Sequence, residues 1–111
     1  GDPYFDWPTE VHELNTEYPV VVFSKTYCPY SKRTKALLST MYELTPPPKI
    51  IEVDLRSDGA QLKQLLGRLT NHSTFPNILV QGKSVGGSDD LHALHYRGEL
   101  TAILQAAGVT V

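Results

Sequence analysis

Val20-Val21-Val22-Phe23-Ser24-Lys25-Thr26-Tyr27-Cys28-Pro29-Tyr30-Ser31 is the segment on which the fold turns. Its first five residues form an unbroken β-branched and aromatic run, the pattern of a strand covered on both faces. Thr26 to Pro29 turns the chain, and a basic amphipathic pattern from Ser31 to about Tyr42, with Leu37, Leu38 and Met41, predicts a helix. Upstream, Asp6-Trp7-Pro8-Thr9 reads as a helix start, with Glu10 and Glu13 after it and Val11 and Leu14 on one face. Downstream, Thr45-Pro46-Pro47-Pro48 is a stiff connector, and Ile50-Ile51-Glu52-Val53-Asp54 reads as a second strand. A helix follows from about Ala60 to Thr70, with Leu62, Leu65, Leu66 and Leu69 facing a core. Asn77 to Val80, a turn at Gln81-Gly82, and Lys83 to Val85 form a hairpin, and helices are expected over Asp89 to Tyr96 and Glu99 to Ala107. A helix between the first two strands requires a parallel crossover, whereas the last two strands are antiparallel. The expected class is α/β, with a four-stranded mixed sheet flanked by helices.

The length of 111 residues suits one domain over 1–111, divided into an N-terminal helical segment (1–18) and a core (19–111). A net charge of -2 gives no electrostatic reason to expect nucleic acid or an anionic membrane as a partner. No apolar run approaches the roughly 18 residues of a membrane span, so no membrane contact by this stretch of chain is expected. Cys28 is the only cysteine. No internal disulfide and no all-cysteine metal site can form, and any disulfide chemistry must be intermolecular.

Cys28 stands where a buried strand gives way to a helix. There the unpaired backbone N–H groups and the positive end of the helix dipole favour a thiolate, which is the nucleophilic form. Lys25 adds positive charge, with Lys32 and Arg33 at longer range. A lowered pKa reduces intrinsic nucleophilicity but makes Cys28 a better leaving group in the next exchange. The competing reading, a small buried hydrophobe, fits poorly with neighbours such as Lys25, Tyr27, Tyr30 and Ser31. Ser31 holds the fourth place of a C-x-x-S tetrad, where a resolving cysteine would otherwise stand. It cannot form a disulfide; it can donate a hydrogen bond to the thiolate or serve simply as an early helix residue.

The segment Ser24 to Ser31 resembles the active-site segment of glutaredoxins, which implies a thioredoxin-like fold. Two further segments carry the resemblance, in the family's order. Thr74-Phe75-Pro76 is similar to a Thr-Val-Pro turn whose proline is cis, and Gly82-Lys83 to Gly86-Gly87-Ser88-Asp89-Asp90 is similar to a hairpin and Gly-Gly turn before a helix. The resemblance implies a glutathione-dependent oxidoreductase of monothiol C-P-Y-S type. In its ping-pong exchange, Cys28 takes glutathione from a glutathionylated protein and a second glutathione restores the enzyme.

The same resemblance implies a glutathione groove. Lys25 would pair with the glycine carboxylate, and Tyr30 would flank the glycine end. The backbone of Phe75, ahead of Pro76, would pair with the ligand in the manner of an added strand. N–H groups at Asp89 and Asp90 would hold the γ-glutamyl carboxylate, with the Asp90 side chain on the ammonium. Both aspartates would serve as helix N-terminal acids in any fold, and Gly86 and auxiliary Gly87 permit positive φ in a turn. Three positions depart from the pattern. Ser73 stands where a basic residue is common, Lys63 replaces a glutamine and is read as supplying the missing charge, and bulky Phe75 is expected to narrow the groove.

Alternatives remain. A [2Fe-2S] cluster could join two copies through Cys28 and two glutathiones, supplying the four thiolates needed; Pro29 and the absence of an extra loop before the cysteine disfavour it. A glutathione-binding sensor or interaction domain with little turnover is another. Zinc held by His12, His72, His92 and His95 is disfavoured because no partner ligand is evident; no metal is expected otherwise. The tail from Asp89 to Leu100 is similar to fungal monothiol glutaredoxins of the early secretory pathway, anchored upstream of the catalytic domain. That similarity points to the ER or Golgi lumen over the cytoplasm. A monomer is expected, with glutathione and glutathionylated proteins as partners.

Overall fold

The computed structural model describes residues 7–111. The elements are α1 (Trp7–Glu17), β1 (Val20–Ser24), α2 (Pro29–Thr40), β2 (Lys49–Glu52), a 3-10 turn (Val53–Leu55), α3 (Gly59–Thr70), β3 (Asn77–Val80), β4 (Lys83–Gly86), α4 (Ser88–Tyr96) and α5 (Leu100–Ala106). Asp6, read as the first helix signal, lies outside the described residues. The four strands form one sheet in the order β2-β1-β3-β4. β1 runs parallel to β2 and antiparallel to β3, and β3 is antiparallel to β4. This is the thioredoxin-like arrangement expected from the chain.

All five residues of β1 are buried because helices cover both sheet faces. Val20 and Val22 pack with Ile78 and Val80 under Leu37 and Leu38 of α2, Leu91 of α4, and Leu100 and Leu104 of α5. Val21 and Phe23 point the other way, with Leu79, and meet Val11 and Leu14 of α1 and Leu62 and Leu66 of α3. Alternation along a two-sided strand produces both clusters from one apolar run. The C-terminal residues return to the Pro-rich connector, where Thr45 and Thr110 exchange backbone hydrogen bonds of 3.0 and 2.9 Å.

Three expectations need correction. β2 ends at Glu52, and Val53 and Asp54 turn in a 3-10 helix that carries the chain away from the sheet towards α3. Met41 is 59 % exposed although it continues the phase of Leu37 and Leu38, because α2 ends at Thr40 and Met41 only caps it, past the part of the helix that the sheet covers. Leu69 is 56 % exposed. The end of α3 borders an open depression against α1 and the β3–β4 turn, so its last leucine has no sheet to cover.

Leu66→Ala is expected to destabilise the fold by about 2–5 kcal/mol, whereas Leu69→Ala should stay within about 0.5 kcal/mol. Urea unfolding of both variants checks the assignment of the α3 core face.

Candidate active site

Cys28 is the N-cap of α2, with extended backbone (φ -78°, ψ 124°), and it is half-buried. Its thiol is held below the ordinary range. The largest cause is the backbone N–H of Ser31, which points at the sulfur from the first turn of α2. Burial opposes this. The backbone N–H of Tyr30, the Ser31 hydroxyl and the Lys25 charge add to the lowering. Ser31 is fully buried, and its Oγ also accepts the Lys25 backbone N–H at 3.1 Å. One hydroxyl therefore ties the loop before Cys28 to the helix after it and supports the thiolate.

The loop has a second anchor that the sequence reading missed. β1 and β2 pair at a constant offset, Ser24 opposite Glu52. Past the strand ends the same offset brings Thr26 to Asp54, which accepts the Thr26 backbone N–H at 2.9 Å and, with its other oxygen, the Thr26 hydroxyl. These two hydrogen bonds, the hydroxyl's first, hold the Asp54 carboxyl below its usual range. Two positions earlier, the Ser24 hydroxyl lies 2.9 Å from both Glu52 oxygens, and Lys35 of α2 reaches Glu52 at 2.9 Å. No sequence motif marks Asp54. Its signal is the register, which becomes legible only once the strands are paired.

Two depressions flank the Phe75 side chain. One, of about 350 Å³, is lined by Lys25, Tyr27, Asp54, Arg56, Lys63 and Phe75 among others. Lys25 Nζ sits 5.3 Å from the Phe75 ring centroid and 5.9 Å from that of Tyr27. Arg56, not singled out from the sequence, adds a third cation to this side and pairs with buried Asp58 at 3.0 Å. The other depression, of about 300 Å³, is lined by Tyr30, His72, Thr74, Phe75, Pro76, Gly87, Asp89 and Asp90. Tyr30 therefore lies on the Asp89/Asp90 side rather than on the Lys25 side where it was expected. α2 begins at Pro29 and turns it there, and Tyr27 takes the Lys25 side. Phe75 touches both depressions and also packs on the α1/α3 core, so its bulk divides the groove.

The Phe75–Pro76 peptide is cis, as the resemblance implied. At the start of α4, Asp90 Oδ2 accepts the Gly87 N–H at 2.9 Å, so part of this carboxylate is committed to capping. Asp89 is exposed beside it. The two glycines differ. Gly86 adopts φ +103°, and a Cβ there would meet Asp90 Oδ2 at 2.1 Å. Gly87 is extended, with φ -103°, and a Cβ would lie 3.3 Å from the Pro76 carbonyl oxygen. Only the first is needed for a positive φ; the second permits close approach. His92 and His95 have other partners, His92 Nδ1 being 2.8 Å from the Ser88 carbonyl oxygen and His95 Nδ1 2.7 Å from the Tyr42 hydroxyl. Among the described residues no group of three or more His, Cys, Asp or Glu is placed to hold a metal ion.

Comparison with known proteins gives concordant results. The glutaredoxin family model matches residues 20–85. The chain is 44 % identical over 96 residues to the chloroplastic glutaredoxin-C4 of Oryza sativa subsp. japonica, covering 86 % of this chain and 70 % of the rice protein. It is 37 % identical over 100 residues to monothiol glutaredoxin-7 of Saccharomyces cerevisiae, covering 90 % of this chain and 49 % of the yeast protein. The crystal structure of a buckwheat glutaredoxin–glutathione complex superposes with a TM-score of 0.81 at 35 % identity, over 90 % of this chain and 88 % of that one.

Alkylation of Cys28 by iodoacetamide should show a pH midpoint below the value of about 8.5 for a free thiol. Ser31→Ala should move that midpoint upward, because a hydroxyl that favours the thiolate is gone. Asp54 gives a separate test. Its lowered pKa contributes stability that is present above the unfolded carboxyl value of about 3.9 and is lost as pH falls through the lower folded value. Asp54→Asn should therefore flatten the acid limb of stability measured by urea midpoints against pH.

Proposed function

The chain belongs to the glutaredoxin family of glutathione-dependent thiol oxidoreductases, and from that premise we propose that it is a monothiol enzyme that reduces glutathione mixed disulfides on proteins. One observation carries the reading. The only thiol in the chain lies at the N-terminus of α2, held towards its thiolate form, beside a groove that is cationic at one end and offers a capped helix N-terminus at the other. Glutathione has matching ends, a glycine carboxylate and a γ-glutamyl group that bears both charges.

Lys25 and Lys63 line one depression and suit the glycine carboxylate. Phe75, between the two depressions, offers its backbone to the cysteine residue of the ligand. The N–H groups of Asp89 and Asp90 open α4 and suit the γ-glutamyl carboxylate. The Asp89 carboxylate, with the Asp90 oxygen that does not cap Gly87, suits the ammonium. Tyr30 walls this second side.

The Cys28 thiolate attacks the glutathione sulfur of the mixed disulfide. The S–S bond breaks, the substrate sulfur leaves with the electron pair and takes up a proton from solvent, and a Cys28–glutathione disulfide remains. The thiolate of a second glutathione attacks the glutathione sulfur of that disulfide. Cys28 leaves as a stabilised thiolate and oxidised glutathione departs. Ser31 has no sulfur with which to intercept the intermediate, so the second thiol must come from outside. A monomer suffices for this sequence of steps.

A [2Fe-2S] cluster needs four thiolates, and this chain supplies one; the site does not complete such a ligand set by itself. The secretory compartment is proposed on the similarity of the Asp89–Leu100 tail alone.

Glutathione-dependent reduction of a glutathionylated peptide, coupled to glutathione reductase, should show turnover that Cys28→Ser abolishes. Lys25→Met should raise KM roughly tenfold with kcat largely kept, as expected for loss of a charged contact made to ground and transition states alike. Absence of turnover in the unaltered protein would refute the enzymatic reading and leave a glutathione-binding sensor as the alternative.

A further inference from the structure

His72 is placed in no role by the reading above, yet it is among the most connected residues around the groove. Asn71 ends α3 in a left-handed conformation (φ 58°), which reverses the chain just ahead of it. The His72 backbone N–H lies 3.2 Å from Thr70 Oγ1, and its carbonyl accepts the side-chain amide of fully buried Asn77 at 3.2 Å. Asn77 Oδ1 in turn accepts the Ser84 hydroxyl at 2.7 Å, and Ser84 Oγ accepts the Gly86 N–H at 3.0 Å. A line of hydrogen bonds thus runs from the end of α3 through His72 and Asn77 to the glycine turn before α4.

The imidazole closes the gap on the groove side. Nε2 is 3.2 Å from the carbonyl oxygen of buried Pro76 and 3.2 Å from Thr74 Oγ1. A carbonyl only accepts, so Nε2 carries the proton and the tautomer is fixed. The same edge of the ring, Nε2 and Cε1, lies 3.5 Å from where a Cβ at position 87 would be, so Gly87 allows the helix start to approach it. His72 therefore hydrogen-bonds one wall of the Asp89/Asp90 depression, the Thr74–Pro76 turn, and its ring edge faces Gly87 at the start of the other, α4.

We propose that His72 is a positioning residue for the γ-glutamyl end of glutathione: its Nε2–H holds the Thr74–Pro76 turn while the same ring edge packs towards Gly87, which together set the spacing between the Phe75 backbone and the start of α4 and so select thiols that carry a γ-glutamyl group. The inference rests on the glutathione reading given above. Without that N–H, the Pro76 carbonyl and the Thr74 hydroxyl lose a shared donor. On the groove side the two walls then lose this link and are joined behind it, through the Asn77 line and the pairing of β3 with β4. The contact to the cysteine residue of the ligand, made at the Phe75 backbone, and that to the glycine residue, on the Lys25 side, do not span this gap.

The test is binding of S-methylglutathione and of S-methyl-cysteinylglycine, which lacks the γ-glutamyl group, followed through the backbone amide signals of Phe75 and Asp89. The unaltered protein should bind S-methylglutathione more tightly. His72→Leu should lose at least fivefold in affinity for S-methylglutathione while its affinity for S-methyl-cysteinylglycine stays within twofold. His72→Gln, which keeps a donor of similar reach, should stay within twofold for both. A structural defect would weaken both ligands together, and that result, or unchanged selectivity in His72→Leu, overturns the assignment. Should His72→Leu not fold, His72→Asn stands in for it. Its amide falls a bond short of Pro76, so equal selectivity in the Asn and Gln variants also overturns it. If the unaltered protein binds S-methylglutathione no better than S-methyl-cysteinylglycine, the inference fails alone. If it binds neither, the glutathione reading fails first.

Discussion

Everything at the site depends on the pairing of β1 with β2 and on where it stops. β1 is covered on both faces, so its backbone cannot drift, and the parallel register with β2 fixes Ser24 opposite Glu52. Beyond that pair the strands separate. The carboxylates at the end of β2 then hold the outgoing loop, Glu52 through Ser24 and Lys35 of α2, and Asp54 through Thr26. The loop is short because α2 must start at Pro29 to lay Leu37 and Leu38 on the sheet. Cys28 has no other place to be than the first cap of that helix. Its lowered pKa is a consequence of helix geometry first and of charge second, since a backbone N–H outranks Lys25 among the causes. A neutral residue at position 25 would leave most of that effect in place.

The groove has a comparable logic on its other side. The sheet order puts β3 beside β1, so the Thr74–Pro76 turn that leads into β3 lies next to the loop that carries Cys28. Buried polar groups fix that turn. Asn77 is a fully buried amide in the first position of β3, and a buried amide without partners would cost several kcal/mol. Its partners Thr70, His72 and Ser84 come from three separate elements. Satisfying one side chain thereby locks the end of α3, the turn and the hairpin together.

Most of the architecture was legible because its signals are periodic. An apolar run in β1, leucines at helical spacing in α3, and a Gly-containing turn between β3 and β4 each follow from local rules. What failed lies at element ends, where period and environment part. Val53 and Asp54 continue a strand-like pattern, but the chain must leave the sheet to reach α3. Met41 and Leu69 keep helical phase past the edge of what their helices cover. Of the candidate site, the residues named with Cys28 line the two depressions around Phe75, and the place of Cys28 at a helix start was legible from the sequence. Asp54 and His72 were not, because their roles exist only through partners set by register and by a chain reversal at Asn71. That Tyr30 lines the Asp89/Asp90 depression and not the Lys25 one was illegible for a related reason. A residue one step into a helix is aimed by the helix axis, which the sequence does not specify.

The departures at Ser73 and Lys63 can be joined by one steric fact. A Cβ at Gly67 would lie 3.2 Å from the Ser73 Cβ, so α3 and the segment before Thr74 pack through two small residues. Ser73, Gly67, Lys63 and Arg68 border a common depression on the outer face of α3, and Lys63 also lines the one that holds Lys25. A cation at position 63 stands on a rigid helix, whereas Ser73 lies on a connecting segment. The connecting segment is then free to approach α3 closely. Arg56 lines the same side, but its guanidinium is engaged by Asp58 through two nitrogens, so it contributes field more than contact. In the proposed reading Lys63 is the group that meets the glycine carboxylate alongside Lys25.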